Sequence, residues 1–553
     1  MGKSTIKRVM SYRHEPLDII FSKLHAPANR DCTYSKEILT SGSVCCEGGM
    51  PLPCDILAEK NIAVTLRDGA VIYTDVYRPA DDEKVPGIIA WSPYGKDFPG
   101  PPMKTALSGL QKFEAPDPAY WVAHGYAVLN PDTRGIGASR DDFRQWGSKQ
   151  SEDGYDFVQW TAEQEWCSGK VTFAGTSYLA ISQWFIAAEQ PPALACIAPW
   201  EGFSNVYEHS ICAGGIPDYE FEKIMFDRTF HGLGDGEDMG AMAEEYPYYN
   251  AYWADKKADL SRVKVPAYVV SSYTNKVHSR GTLPSFLAAA SEEKWLRIHN
   301  THEWFDFYTH QDDLLKFFDY YMKGTENGWQ ETPRVRMCVM NPGGEDIVDR
   351  PADEYPTDSL QLKCLYLNAS DRIMQETVPA GDSEVSYVSD DNEGEVSFRC
   401  TFEEKTEIAG TISVNLWVKC KESDDMDIFV MARKLNAAGE ELPLLVAGAP
   451  YCPPGGKAPF EWGNGRQRVS MRNGFEVPEY VSPGQPVKVT VDLCPMGMIF
   501  AAGEQLEITI GGYNPAKPEV PGQPPLKTVN KGTHTILCGE RYDSALILPI
   551  YNN

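Results

Sequence analysis

The hydrophobic patterning of this 553-residue chain changes character near residue 335, and that change limits its folds more than any other feature. Before it, apolar runs of strand length alternate with segments of helical periodicity. IAVTLRDGAVIYTDVYRP (62–79) reads as strand, turn at Asp68-Gly69, strand. VPGIIAWSPYG (85–95), YAVLNPDTRG (126–135), ACIAPWEG (195–202), VPAYVVSSYTN (265–275) and KWLRIHNTHEW (294–304) are further strand candidates. Helical spacing appears at 153–164, after 176, and in the amphipathic run DDLLKFFDYYMKGTENG (312–328). Strands alternating with helices imply a parallel sheet covered on both faces. Residues 203–260 interrupt that rhythm and read as a mostly helical insertion. Beyond 335, short alternating runs such as GTISVNLWVK (410–419), VKVTVDL (487–493) and EQLEITIGG (504–512) predict an all-β sandwich or jelly roll. Residues 1–55, rich in Cys, Pro and Gly, read as an irregular extension.

Composition narrows the function. Lys and Arg number 51 against 78 Asp and Glu, a net charge of -27. Such a surface repels phosphate backbones and anionic lipid, so neither nucleic acid nor membrane is an expected partner. No apolar run approaches the ~18 residues of a membrane span. No signal peptide is read at the N-terminus, and a cytoplasmic location is expected. The fourteen cysteines contain no CxxC pair, so no zinc is expected, and no cofactor is called for.

The sharpest local signal is Phe173-Ala174-Gly175-Thr176-Ser177-Tyr178-Leu179-Ala180, an apolar strand running into Gly-x-Ser with a helix directly after it. A serine hydroxyl is a weak nucleophile and must stand at a tight turn where a base can reach it. The Tyr178 N–H, at the helix start, then points toward a developing oxyanion. The full GxSxG pattern is absent, because Leu179 holds the second glycine position. The plainer reading is a glycine turn and a surface serine.

Neighbouring motifs carry a resemblance. SPYGK (92–96), DTRGIGAS (132–139), EDGYDFVQWTAEQEWCSGKVTFAGTSYLA (152–180), YWADKKADLSRVKVPAYVV (252–270) and AAGEQLEITIGGYNP (501–515), in that order, resemble the cocaine esterase / Xaa-Pro dipeptidyl-peptidase family of α/β-hydrolases over roughly residues 60–550. The resemblance implies an α/β-hydrolase domain at 56–335 with a helical cap at about 203–260, and a C-terminal all-β jelly-roll domain at 336–553. It implies that Ser177 is the nucleophile, with the Tyr94 hydroxyl and the Tyr178 N–H forming the oxyanion hole. Arg134 and Asp132 could be catalytic polar groups, but a structural role holding their loop through an ion pair is favoured.

The chain departs from the family pattern at the acid and the base. Asn275 stands at or beside the place of the family aspartate. An asparagine can hold an imidazole tautomer but cannot stabilise imidazolium by charge, and such a replacement costs ~10⁴ in a serine protease. Glu303 and Asp306 are the nearest substitute carboxylates, though both also read as solvated loop acids. For the base, His302 matches the family histidine if one residue is deleted, and His299, at the strand end, is the runner-up. His278 is read as packing within the acid loop. The aromatic cap residues, among them Phe221 and Phe230, suggest an acyl pocket or simply cap packing.

The expectation is therefore a serine hydrolase cleaving an ester or amide of a small acyl substrate through an acyl-enzyme. Alternatives are a peptidase, acylase or acyltransferase on the same scaffold, a catalytically impaired ligand-binding protein in which Asn275 marks a dead site, and an assembly protein. Homo-oligomerisation is left open by the sequence.

Overall fold

The computed structural model describes residues 4–10, 16–101, 105–356, 359–449, 452, 455–461, 463–516 and 522–551. The Pro/Gly loops at 453–465 and 513–525 lie partly outside the described residues.

The five residues of Val85–Ile89 are all buried, because this strand is covered on both faces. It pairs in parallel with Ala127–Asp132 on one side and with Cys167–Phe173 on the other. The hairpin Ile56–Thr65 and Val71–Pro79 extends this sheet antiparallel, its turn at Gly69 having φ 88°. Residues 194–200 cross from the first sheet to the second through isolated bridges, Val171 to Leu194 and Ile197 to Ala267, rather than as the continuous strand expected at 195–202. The second sheet runs Ala267–Ser272, Lys294–His299, Val335–Val339 and Ile347–Ala352. Its first three strands are parallel and the last is antiparallel. The pattern is that of an α/β-hydrolase sheet, with the ends of Cys167–Phe173, Ala267–Ser272 and Lys294–His299 facing one cavity.

The N-terminal residues differ from the expected irregular extension. Thr5–Met10 and Pro16–Lys23 form a sheet with Asp235–Glu237 of the cap, and Ser35–Leu39 is the edge strand beside Ile56–Thr65. Leu17, Ile19 and Phe21 alternate inward and are buried. The cap strand that pairs with Phe21, Ser22 and Lys23 lies more than two hundred residues away, so the local sequence carries no sign of that pairing.

The cap at 203–260 holds the helices Tyr219–Thr229, Met239–Glu245 and Ala251–Asp255. Inside it, Glu237 is fully buried between Arg144 Nε at 2.9 Å and Lys256 Nζ at 2.7 Å. Removing Glu237 would leave two buried cations facing each other, so this cluster ties Arg144 of the hydrolase domain to the cap. After Ala352 the regular structure among the described residues is strand apart from the short helical turn Val469–Met471. Among the described residues it forms a thirteen-stranded, mostly antiparallel sheet system. Ser413–Cys420 shows the strict alternation of a sheet with one buried face. The hairpin Leu444–Ala447 and Lys457–Phe460 leaves this domain and reaches back to the hydrolase cavity.

Candidate active site

Ser177 sits between the strand Cys167–Phe173 and the helix Tyr178–Ala188, with φ 57° and ψ -121°. A non-glycine residue held at positive φ is strained, and the surrounding packing must hold it there. Two contacts do so. The Thr176 N–H donates to the Glu114 carbonyl at 3.2 Å, and the Ile181 N–H donates to the Ser177 carbonyl at 2.9 Å. Gly175, with φ 128°, cannot be replaced: a Cβ there would lie 2.4 Å from Leu179 Cδ2 and 2.8 Å from the Glu114 carbonyl oxygen. Leu179 fills the second glycine position by packing over Gly175 and is itself buried.

Ser177 Oγ lies 3.0 Å from His278 Nε2. Among the described residues this is the one imidazole hydrogen-bonded to the hydroxyl, so the expectation of His302 or His299 at this place is corrected. His299 is buried behind the cavity, its Nε2 within 2.8 Å of Glu201 and its Nδ1 accepting the Thr301 N–H at 3.3 Å. His302 lines the cavity, but its Nδ1 accepts the Trp304 N–H at 3.3 Å and caps the short helix Glu303–Thr309. His278 reaches the serine because the loop after Ala267–Ser272 folds back on itself. Asn275 Oδ1 accepts the N–H groups of Val277 at 2.9 Å and His278 at 3.0 Å, which turns the chain into the helix Ser279–Ala288.

Asn275 therefore does not take the place of the acid against the imidazole. Its side-chain N–H instead donates to Glu303 Oε2 at 2.5 Å, and that carboxylate oxygen lies 3.8 Å from His278 Nε2. Compared with the expected family arrangement, the imidazole comes from the acid loop and the carboxylate from the histidine loop. Thr274 Oγ1, donating to the Thr301 carbonyl at 2.6 Å, ties the two loops together. His278 Nδ1 is buried without a hydrogen-bond partner. The carboxylate thus lies on the side of the ring that faces the serine, not beside Nδ1. Burial pushes the His278 pKa down to about 3, so the ring is neutral across the neutral range. Asp306, the other candidate acid, is paired with Arg297 and lies within 3.7 Å of His299.

Tyr94 follows Val85–Ile89, its ring packed against Phe113 at 4.9 Å and Tyr178 at 5.9 Å. Its hydroxyl faces Ser177 and the Glu114 carboxyl, and burial holds its pKa well above the usual phenol value, so it remains a donor. Tyr178 stacks on Trp146 at 4.4 Å and its hydroxyl accepts from Gln150 at 3.0 Å, which fixes the helix start beside the serine. Arg134 is spread over Asp153, Asp68 and Asp141, and Asp132 accepts the Lys96 N–H at 2.7 Å. Both hold their loop, but through these separate partners rather than through the expected ion pair.

These groups open into a cavity of about 690 Å³, mostly apolar. Phe221, Met225 and Phe230 of the cap form one wall and Val446 and Phe460 of the β domain another. The cap aromatics divide: Phe221 and Phe230 face the cavity, while Tyr207 and Tyr249 pack on each other at 5.3 Å. Among the described residues no group of three or more His, Cys, Asp or Glu side chains is placed to hold a metal, and no helix is long and apolar enough to cross a membrane.

Sequence reasoning passed over two residues of this site. His278 was legible as a histidine three residues after Asn275, but which loop histidine meets Ser177 depends on a fold-back. Glu114, discussed below, belongs to no motif.

Comparison with known proteins gives the same architecture. Residues 68–303 match the X-Pro dipeptidyl-peptidase (S15 family) model, and residues 327–547 match the X-Pro dipeptidyl-peptidase C-terminal non-catalytic domain. A CocE/NonD family hydrolase from Staphylococcus aureus superposes with a TM-score of 0.82 at 28% identity, over 100% of this chain and 97% of that one. An aminopeptidase from a Thaumarchaeota archaeon shares the fold, with a TM-score of 0.70 at 15% identity over 96% of this chain and 99% of its own. Cocaine esterase from Rhodococcus sp. is 35% identical over 147 residues, which is 27% of this chain and only 24% of that protein. With both of its domains matched in order, the chain belongs to the X-Pro dipeptidyl-peptidase (S15) family of α/β-hydrolases.

Proposed function

We propose that this protein is a serine hydrolase that cleaves an ester or amide bond of a small acyl substrate through an acyl-enzyme on Ser177. The observation that carries the reading is the 3.0 Å contact between a strained, exposed-side serine hydroxyl and a neutral imidazole at the floor of an apolar cavity. Ser177 Oγ attacks the carbonyl carbon while its proton passes to His278 Nε2. Glu303, 3.8 Å away, stabilises the imidazolium that forms. The oxyanion accepts hydrogen bonds from the Tyr94 hydroxyl and the Tyr178 N–H. Collapse expels the alcohol or amine, which takes the proton back from His278. Water then attacks the acyl-enzyme with the same base and restores Ser177.

The test is labelling with a fluorophosphonate, followed by peptide mapping and an ester and amide panel. Modification of Ser177 in the wild type, with loss of both label and turnover in Ser177→Ala, is expected. Label on another residue, or turnover that survives the substitution, overturns the reading. The relative rates on esters and amides then separate an esterase from a peptidase.

A further inference from the structure

Glu114 is a carboxyl group that the mechanism above does not use, yet it lies among its reacting atoms. It is 3% exposed and held at φ 63°, a strained backbone position for a glutamate. Its Oε1 accepts the Trp304 indole N–H at 2.9 Å. Its Oε2 is buried and has no hydrogen-bond partner. Besides Trp304, the groups that act on the carboxyl include the Tyr94 hydroxyl, the Ser177 side chain and the Tyr178 backbone N–H. Those are the nucleophile and the two donors assigned to the oxyanion. A carboxylate placed there would repel the negative oxygen that forms on attack and would compete for both donors. A carboxylic acid placed there would have the opposite effect, because its O–H is a donor.

We propose that Glu114 works in its protonated form as a third oxyanion donor, Oε1 anchored by Trp304 and Oε2–H directed at the oxygen of the tetrahedral intermediate. The proposal rests on the hydrolase reading given above. No proton is transferred in this role: Glu114 keeps its hydrogen throughout, and only the hydrogen bond strengthens as the oxyanion develops. Burial agrees with the assignment, since it pushes the Glu114 pKa up to about 8. The surrounding titratable groups also suit it. Tyr94 and Tyr308 are held neutral by burial. Burial lowers the pKa values of His278 to about 3 and His302 to about 4, so neither offers a cation near neutrality.

The prediction concerns the alkaline limb of the pH profile. With p-nitrophenyl butyrate as probe and Ser177→Ala as blank, wild-type kcat/KM falls about tenfold per unit above about pH 8 as Glu114 ionises. Glu114→Gln keeps an N–H donor and cannot ionise, so that fall disappears. Glu114→Ala loses the donor and lowers kcat by roughly 10²-fold with little change in KM. Infrared difference spectra of wild type against Glu114→Gln supply a readout independent of turnover. A protonated-carboxyl C=O band is expected at neutral pH, giving way to carboxylate bands above about pH 8. An unchanged alkaline fall in Glu114→Gln, or no such band in folded wild-type protein, overturns the proposal. A protein that shows the band but no Ser177-dependent turnover fails the hydrolase reading itself, and the donor role falls with it.

Discussion

The proposed nucleophile and its proposed base arrive at one 3.0 Å contact by different routes. Ser177 is placed by eight consecutive residues, 173–180, in which strand, glycine turn and helix are all encoded locally. His278 comes from 101 residues further along, and its place depends on Asn275 turning one loop and on Glu303 being carried in by another. The elbow side is rigid because its strain is held by backbone hydrogen bonds and by Leu179 packed on Gly175. The base side is held by side-chain contacts between two loops. Substitutions on the base side can therefore remove function while leaving the sheet intact, which makes it the place to test the comparison.

The largest effect is expected at the imidazole. His278→Ala should lower kcat/KM by about 10⁴-fold or more, as removal of a triad base does, while His302→Ala should stay within about tenfold. Steady-state kinetics on an ester substrate check this, and the reverse ranking would restore His302 as base. The acid comes next. At 3.8 Å, a carboxylate is worth about 4 kcal/mol to an imidazolium at an effective dielectric of 20, so Glu303→Gln should cost roughly 10³-fold in kcat. An unaltered kcat would remove Glu303 from the mechanism. On the elbow side, Tyr94→Phe should lower kcat by about 10²- to 10³-fold and leave KM nearly unchanged. Equal losses in affinity and turnover would make Tyr94 a packing residue.

The smallest effect concerns the cap wall. Glu222 is buried there, and burial together with Asp218 and Asp238 raises its pKa from 4.5 to about 7. A raised folded-state pKa means that the native protein binds the proton more tightly than the unfolded chain. Its stabilising contribution is full below pH 4.5 and is lost as the pH rises to about 7. Glu222→Gln should abolish that part of the decline, at most about 3 kcal/mol, and flatten Tm against pH over the interval. Thermal melts across the range that keep the wild-type slope would contradict it.

Much of the architecture was legible. Strands buried on both faces are largely apolar, so Val85–Ile89 stands out as a continuous run, as do the first three residues of Ala127–Asp132, and the alternation in Ser413–Cys420 marks a half-exposed sheet. The N-terminal sheet was not legible, because its third strand is a three-residue segment of the cap. At the site, Ser177, Tyr94 and Tyr178 stand in motifs whose chemistry follows from their immediate neighbours. Asn275 and Glu303 were in view as candidates, but their division of labour was not. Which of them faces an imidazole depends on side-chain directions in two loops that meet only after the second sheet forms.

Backbone geometry that a few neighbouring side chains can impose, such as the glycine turn and the helix that follows Ser177, is written locally and reads directly from residue types. Charge and proton placement is not. That His278 rather than His302 meets the serine, and that Glu114 is buried beside Tyr94 and Tyr178, follows from distances between segments remote in the chain. Those distances, and the desolvation that sets each pKa, exist only once the sheets, the cap and the β-domain hairpin have packed around one cavity.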